Sequence, residues 1–386
     1  MNFASSARAI GDLLKTTLAK DPNFYFFSPD ETTSNKLDAV YDVSARLWNL
    51  PVEKWDLPES TTGQIVELLS ENVLLALMIG HILSGQPAVM ASYESFFTIT
   101  TSQVLQHLKF LEQASTVTWR PDYPALNLLS TSTCWRQDHN GFSHQSPMLI
   151  STLLSRPGHF VNCLFPVDAT AATAALNYSL ATPNVVNLTT FNKTDEPQWI
   201  DSNHAQFQLE NGGASIFEFI SDQNPDFIFT AAGDIVSRET IYAIKLLKQD
   251  LPELKFRFVG IAALTYGAIG TTTHQLDQAT FDQYFTTDKS IIANFHGYPD
   301  ALRSILLNYT TKDRLHLHGF SERGSTTTPF EMLSLNHASR YHLCLDVATA
   351  LNRSDLIQKY QSLLDQNAAH AHETGQDLPE ISDFVL

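Results

Sequence analysis

Cysteine is scarce: Cys134, Cys163 and Cys344 are the only three in 386 residues, and no two form a Cys-x-x-Cys pair. At least one is unpaired, so neither a disulfide framework nor a cysteine zinc site is indicated. Basic charge is also short, with 24 Lys+Arg against 41 Asp+Glu and a formal net charge of −17. Such a balance repels nucleic acid and anionic membranes unless cations cluster. The densest basic stretch, Lys245 to Arg257, is interrupted by acids. A transmembrane helix needs about 18 or more apolar residues in a row, and the longest candidate, Val73 to Leu83, is shorter and carries His81. The first twenty residues lack the apolar stretch and cleavage site of a secretory leader, and the expected compartment is the cytoplasm. Gly-x-x-x-x-Gly-Lys-Ser/Thr and Gly-x-Gly-x-x-Gly are both missing, which removes the nucleotide P-loop and the Rossmann fingerprint.

What is present is an alternation of apolar runs and helical patterns. Asp38 to Trp48, Gly63 to Leu83 and Ser102 to Gln113 have apolar residues at helical spacing, with short strand-like runs at 88–90 and 126–129. Phe160 to Phe165 reads as a buried strand, Ala169 to Leu180 as a helix and Val185 to Leu188 as another strand. The polar stretch Phe191 to Asp201 is the best linker. Beyond it, strands are expected at 226–232, 256–264, 290–295 and 315–317, with helices at 237–249, 299–307 and 340–351. This predicts an α/β protein of two domains, 1–195 and 196–386, each a mostly parallel sheet flanked by helices.

Histidines at 316 and 318 would share one strand face, but no carboxylate sits at a clear third-ligand spacing, so no metal site is expected from them. The richest polar segment is Trp135 to Gln145. It packs Arg136, Gln137, Asp138, His139, Asn140, Ser143 and His144 around one glycine. So many donors and acceptors are costly to bury without partners, and the segment is expected as a strand-end loop aimed at a polar ligand. The stretch 27–35, after an aromatic run, is expected to cap a following helix or to bind an anion, capping being the commoner role. Glu71 lies in an apolar helical stretch. On its own it is either a solvated edge, the commoner case, or a buried acid with a raised pKa.

Together these segments resemble the C-terminal half of the phosphoketolases, which are transketolase-like enzymes dependent on thiamine diphosphate. The resemblance is carried by SPDETTSNKL (28–37), LLSEN (68–72), SYESFF (92–97), the 135–145 run, PQWI (197–200), FTTDKS (285–290), FHGYP (295–299), GSTTTPFEM (324–332) and GQDLPEISDF (375–384). It implies a carbon–carbon lyase that cleaves xylulose 5-phosphate or fructose 6-phosphate with inorganic phosphate, giving acetyl phosphate and a shorter aldose phosphate. It also implies a transketolase-like pyrimidine-binding domain at 1–195 followed by a C-terminal domain at 196–386. Glu71 matches the glutamate that bonds the cofactor's pyrimidine nitrogen, which favours the shielded acid over the solvated edge. Tyr93 and Phe96 match the aromatic positions around that ring. Gln137, Asn140 and His144 match substrate-reaching residues with catalytic roles, Tyr93 also lines the sugar-phosphate site, and Ser34 matches a phosphate contact.

Two departures stand out. Asn72 occupies the place of the histidine usual after the glutamate. No Gly-Asp-Gly occurs, Gly233-Asp234-Ile235 being no match, so the diphosphate and Mg site is expected outside this chain. The implied partners are a diphosphate-binding N-terminal half, in trans or on a longer chain, and a second copy in a homodimer. The alternative expectation is a non-catalytic assembly or regulatory module of the same fold.

Overall fold

The structure is a computed structural model that describes residues 2–56 and 59–382. Its larger sheet has ten strands. In spatial order they are Ala268–Ile269, Ala263–Thr265, Val161–Leu164, Val186–Thr190, Leu126–Thr131, Ala88–Tyr93, Tyr25–Ser28, Ile65–Glu67, Arg46–Leu47 and Glu59–Ser60. From Val161–Leu164 onward every pairing is parallel, while the two strands at the other edge run antiparallel. Leu126–Thr131 and Val186–Thr190 are buried along their whole length, as strands covered on both faces must be. Their register is fixed by a buried amide ladder. Asn187 donates to Asn127 and accepts from Asn162, each at 2.8 Å, on three neighbouring strands. A one-residue slip would strand these amides in the apolar interior.

The second sheet runs Ala214–Ile216, Phe256–Ile261, Phe227–Ala232, Ser290–Phe295, Leu315–Gly319, parallel except for its first strand. Helices Asp234–Asp250, Arg340–Ala350 and Ser354–Thr374 contribute to its core through Ile241, Leu247, Val347 and Tyr360. The largest apolar cluster crosses between the two halves of the chain, joining Cys163 and Phe165 to Ala232 and Phe295.

Several local expectations change. The apolar run 256–264 is two strands: Phe256–Ile261 stays in the small sheet, whereas Ala263–Thr265 joins the large one. The break comes where the Ala262 and Ala263 amides both turn to the Gly213 carbonyl. Gly63 to Leu83 is a strand, Ile65–Glu67, and then a helix, Glu71–Leu83, started by the Ser70 side chain accepting from the Val73 amide. Asp38 to Trp48 is a 3₁₀ turn, Asp38–Asp42, followed by a short strand, Arg46–Leu47. No α-helix follows residues 27–35; Thr32 instead donates to the Glu67 carboxylate. The supposed linker is a built seam, with Asp195–Pro197 pairing antiparallel to Phe3–Ser5 and Glu196 buried between Arg136 and Arg238.

Candidate active site at the carboxyl edge of the large sheet

After Tyr25–Ser28 the chain builds strands on one side of it, then crosses to Ala88–Tyr93 on the other. Open α/β sheets bind ligands beyond the strand carboxyl ends at such a reversal. The residues singled out in the sequence leave from these ends. Ser34 follows Tyr25–Ser28, Glu71 follows Ile65–Glu67, Tyr93 closes its own strand, and the 135–145 loop follows Leu126–Thr131. Ser132, between that strand and the loop, has a φ of 47°, a strained conformation for a residue with a Cβ, held by its hydroxyl bonding Asn35 at 2.8 Å.

The rings of Tyr93 and Phe96 lie parallel within 2°, with centroids 5.7 Å apart. His144 stands edge-on to both, at 6.1 Å and 5.1 Å, and its Nδ1 pairs with the Ser143 hydroxyl at 2.9 Å. The Tyr93 hydroxyl donates to Ser34, whose own hydroxyl donates to the Glu31 carbonyl. Ser34, Tyr93, Phe96 and His144 are thus one cluster. Gln137 and Asn140 are placed differently. Gln137 is fully buried, with its amide donating to the Ser132 carbonyl and its side-chain oxygen without a partner. Asn140 is exposed at the loop tip beside Gly141. Glu71 opens its helix, half-buried.

Two residues of this site were not singled out from the sequence. Lys193, within the supposed linker, holds its Nζ 5.0 Å from the Tyr93 ring centre. Glu31, within the 27–35 stretch, accepts the Tyr93 amide at 3.0 Å. Burial, with Glu71 adding to it, pushes the Glu31 pKa up to about 7, against the pull of its hydrogen bonds. A carboxyl raised in the folded state stabilises fully below its unfolded pKa, and that contribution is lost as pH rises through about 7. Glu31→Gln keeps an acceptor for the Tyr93 amide and cannot ionise. Its melting temperature at pH 8 is therefore expected to exceed the parent's by several degrees, with the two converging near pH 5. Parallel melting curves at both pH values would refute the assignment.

The arrangement offers a flat aromatic pair, two carboxyl groups that feel each other's charge, and a lysine and a histidine that both reach the Tyr93 ring. It suits a planar nitrogen heterocycle and an anionic substrate. Among the described residues the one group of His, Cys, Asp or Glu close enough to share a metal ion is Glu94, Cys134 and His296, buried behind Tyr93. His318 is instead taken by the His337 carbonyl and Asp346.

The architecture is that of the transketolase-like α/β proteins. Transketolase from Pichia stipitis, solved in complex with sedoheptulose 7-phosphate, superposes with a TM-score of 0.71 at 14% identity, over 90% of this chain and 46% of its own. A chain described as a split-gene transketolase, inactive β4 tetramer, matches with a TM-score of 0.60 and 14% identity, over 90% of this chain and 98% of its own. Within that class the chain belongs to the phosphoketolase family. The model of D-xylulose 5-phosphate/D-fructose 6-phosphate phosphoketolase matches residues 8–182, and that of the family's C-terminal domain matches 193–386. A probable phosphoketolase of Rhodopseudomonas palustris (strain TIE-1) is 36% identical over 99% of this chain and 50% of its own length. One from Pediococcus pentosaceus is 34% identical over 97% and 49%. The chain spans about half the length of the curated relatives it matches.

Proposed function

We propose that this chain forms the pyrimidine-binding wall of a phosphoketolase. The enzyme would cleave xylulose 5-phosphate or fructose 6-phosphate with inorganic phosphate, giving acetyl phosphate and a shorter aldose phosphate. The observation that carries the reading is the parallel Tyr93–Phe96 pair set among Glu31, Glu71, His144 and Lys193 at the sheet's carboxyl edge. When bound, thiamine diphosphate supplies the carbon nucleophile that makes the carbon–carbon bond breakable. Glu71 holds a proton at the pyrimidine nitrogen, and Glu31, whose own ionisation burial disfavours, adds a second carboxyl to that corner of the site. Tyr93 and Phe96 flank the ring. Ser34, His144 and Lys193 offer donors and positive charge to phosphate, and Asn140 reaches the sugar from the loop tip. Gln137 acts from within the loop, fixing its path through Ser132. The diphosphate and its Mg are assigned to a second half, supplied in trans or on a longer chain, because Gly-Asp-Gly is missing from the 386 residues. The split-gene transketolase of matching span, inactive as a β4 tetramer, supports a chain that assembles but turns over only with its other half.

A homodimer through the first domain forms part of the reading. Leu69, Val73 and Leu77, on and before the helix Glu71–Leu83, are 82%, 46% and 51% exposed, an apolar row beside Glu71. Rows of this kind mark interaction sites. Leu77→Glu is expected to shift a dimer to monomer in light scattering at micromolar concentration, with the circular dichroism spectrum unchanged. A dimer that persists would place the interface elsewhere. The function itself is tested by mixing this chain with a phosphoketolase diphosphate-binding half and measuring acetyl phosphate as its hydroxamate. Turnover only in the mixture supports the proposal. A mixture that assembles without turnover favours the alternative, a non-catalytic assembly or regulatory module.

A further inference from the structure

The second sheet takes no part in the ring cluster, yet two of its central strands end directly behind it. Ser290–Phe295 ends at His296, fully buried, whose Nε2 lies 2.8 Å from the Glu94 carboxylate. Glu94 follows Tyr93. Its other carboxylate oxygen accepts the Cys134 amide at 2.7 Å, and its own amide donates to the Thr131 carbonyl at 2.8 Å. The His296 carbonyl in turn accepts the Trp135 indole at 2.9 Å. The neighbouring strand, Phe227–Ala232, leads through Gly233 to Asp234, which accepts both the amide and the side chain of Asn192, the residue before Lys193. Two reaches from the second sheet therefore hold Glu94 next to Tyr93, Trp135 two residues before Gln137, and Asn192 next to Lys193. The sequence separations are 202 for His296 with Glu94 and 42 for Asp234 with Asn192.

The three groups Glu94, Cys134 and His296 also raise the question of a metal. Two ligands about 2.0–2.1 Å from a tetrahedral zinc stand roughly 3.3 Å apart, whereas Nε2 and Oε1 are at hydrogen-bond distance, 2.8 Å. The Cys134 amide, moreover, already occupies the second carboxylate oxygen. The arrangement is a hydrogen-bonded clamp. Space around it is tight: a Cβ on Gly233 would lie 2.7 Å from the His296 Cβ, so the two strand ends are packed backbone to side chain. Burial lowers the basicity of His296, but the Glu94 charge and hydrogen bond outweigh it and Asp234 adds to them, so the net shift is upward.

We propose that His296, acting through Glu94, is a positioning residue that lets the second domain set the orientation of Tyr93 and of the 132–145 loop. This rests on the functional reading above, in which Tyr93 flanks the ring and carries Ser34 and Lys193 beside it, and His144 with them meets the substrate's phosphate. Removing the clamp should loosen that wall and weaken sugar-phosphate binding while leaving Glu71 untouched, so KM moves and kcat does not.

The test uses two variants of the full chain, His296→Leu, which removes the polar ring, and His296→Gln, which keeps an amide donor in its place. Hydrogen exchange is followed in three segments. His296→Leu is expected to speed exchange at 132–145 and 90–96 by about tenfold or more, with 227–232 at parental rates, and His296→Gln to restore most of the protection. Assembled with the diphosphate-binding half, His296→Leu should raise the sugar-phosphate KM about tenfold with kcat within about threefold. Unchanged exchange at 132–145, or an equal loss across 227–232, would overturn the proposal, the second outcome marking a merely structural residue. An unchanged KM would overturn it too. Should the parental mixture show no turnover at all, the phosphoketolase reading fails, and the exchange result still decides whether His296 sets the wall.

Discussion

Glu71→Gln is expected to lower acetyl phosphate formation by the assembled enzyme by about 10²–10⁴-fold, the range for loss of a positioned acid–base group, with the fold unchanged. The contrast with Glu67, four residues earlier, explains the split. Glu67 is held by Thr32, Tyr41 and Arg46, so its carboxylate is occupied with structure. Glu71 is held by no hydrogen bond among the described residues, and its charge is felt at Glu31. Among the described residues nothing uses this carboxylate, and it stands where the carboxyl ends of the strands converge. At the first turn of its helix the charge is favourable by about 0.3–1 kcal/mol, and relief of the repulsion with Glu31 offsets part of that. The melting temperature of Glu71→Gln should therefore stay within a few degrees of the parent's, while turnover collapses. Full turnover after the substitution, measured at equal amounts of assembled complex, would remove the catalytic reading and leave the assembly module. Glu67→Gln provides the opposite signature, with lower stability and little change in the turnover of the folded fraction.

How much of this was legible in the residues follows from the distance over which each contact acts. Strands and helices built from local periodicity, such as Leu126–Thr131 and Asp234–Asp250, lie close to their expected spans. The crowded loop 135–145 announced itself by polar density alone. Glu31 did not, because its character comes from Ser92, Tyr93 and Glu71, brought to it by a crossing of the sheet. Lys193 was hidden by composition. A polar run of Asn, Lys, Thr, Asp and Glu looks like a solvated linker until Asp195–Pro197 is paired with Phe3–Ser5 and Asn192 is taken up by Asp234. The run 256–264 gave no sign of dividing, since Ala262 is as apolar as its neighbours and the turn is made by the distant Gly213 carbonyl. Motif resemblance carried the family. It left open what the second domain does for the site, which the buried reach of His296 and Asp234 addresses.

The largest stability effect is expected away from the site, at Glu239. This carboxylate is completely buried in the helix Asp234–Asp250 and accepts the Arg340 backbone amide at 3.1 Å, its Nε and Nη2 each at 2.8 Å, and Arg238 at 3.2 Å and 3.3 Å. Burial by itself would raise its pKa, but Arg340 and then Arg238 outweigh that and hold it at about 2. Losing one partner of a buried pair costs about 3–5 kcal/mol because the remaining charge has been taken out of water. Glu239→Gln is expected to lose about that much in urea denaturation at pH 7. Arg238 retains Glu196. A double variant, Glu239→Met with Arg340→Met, should recover much of the stability, since removing both charges removes the desolvation penalty with them. The sign with pH follows from the depressed pKa. The pair's contribution is complete above the unfolded carboxyl value of about 4.3 and is lost as pH falls through about 2. The parent should therefore weaken between pH 5 and 2 more steeply than Glu239→Gln, and the two curves should approach each other at the acid end. A Glu239→Gln loss below about 1 kcal/mol, with parallel pH curves, would mean that water reaches this cluster and that the two arginines are solvated without it.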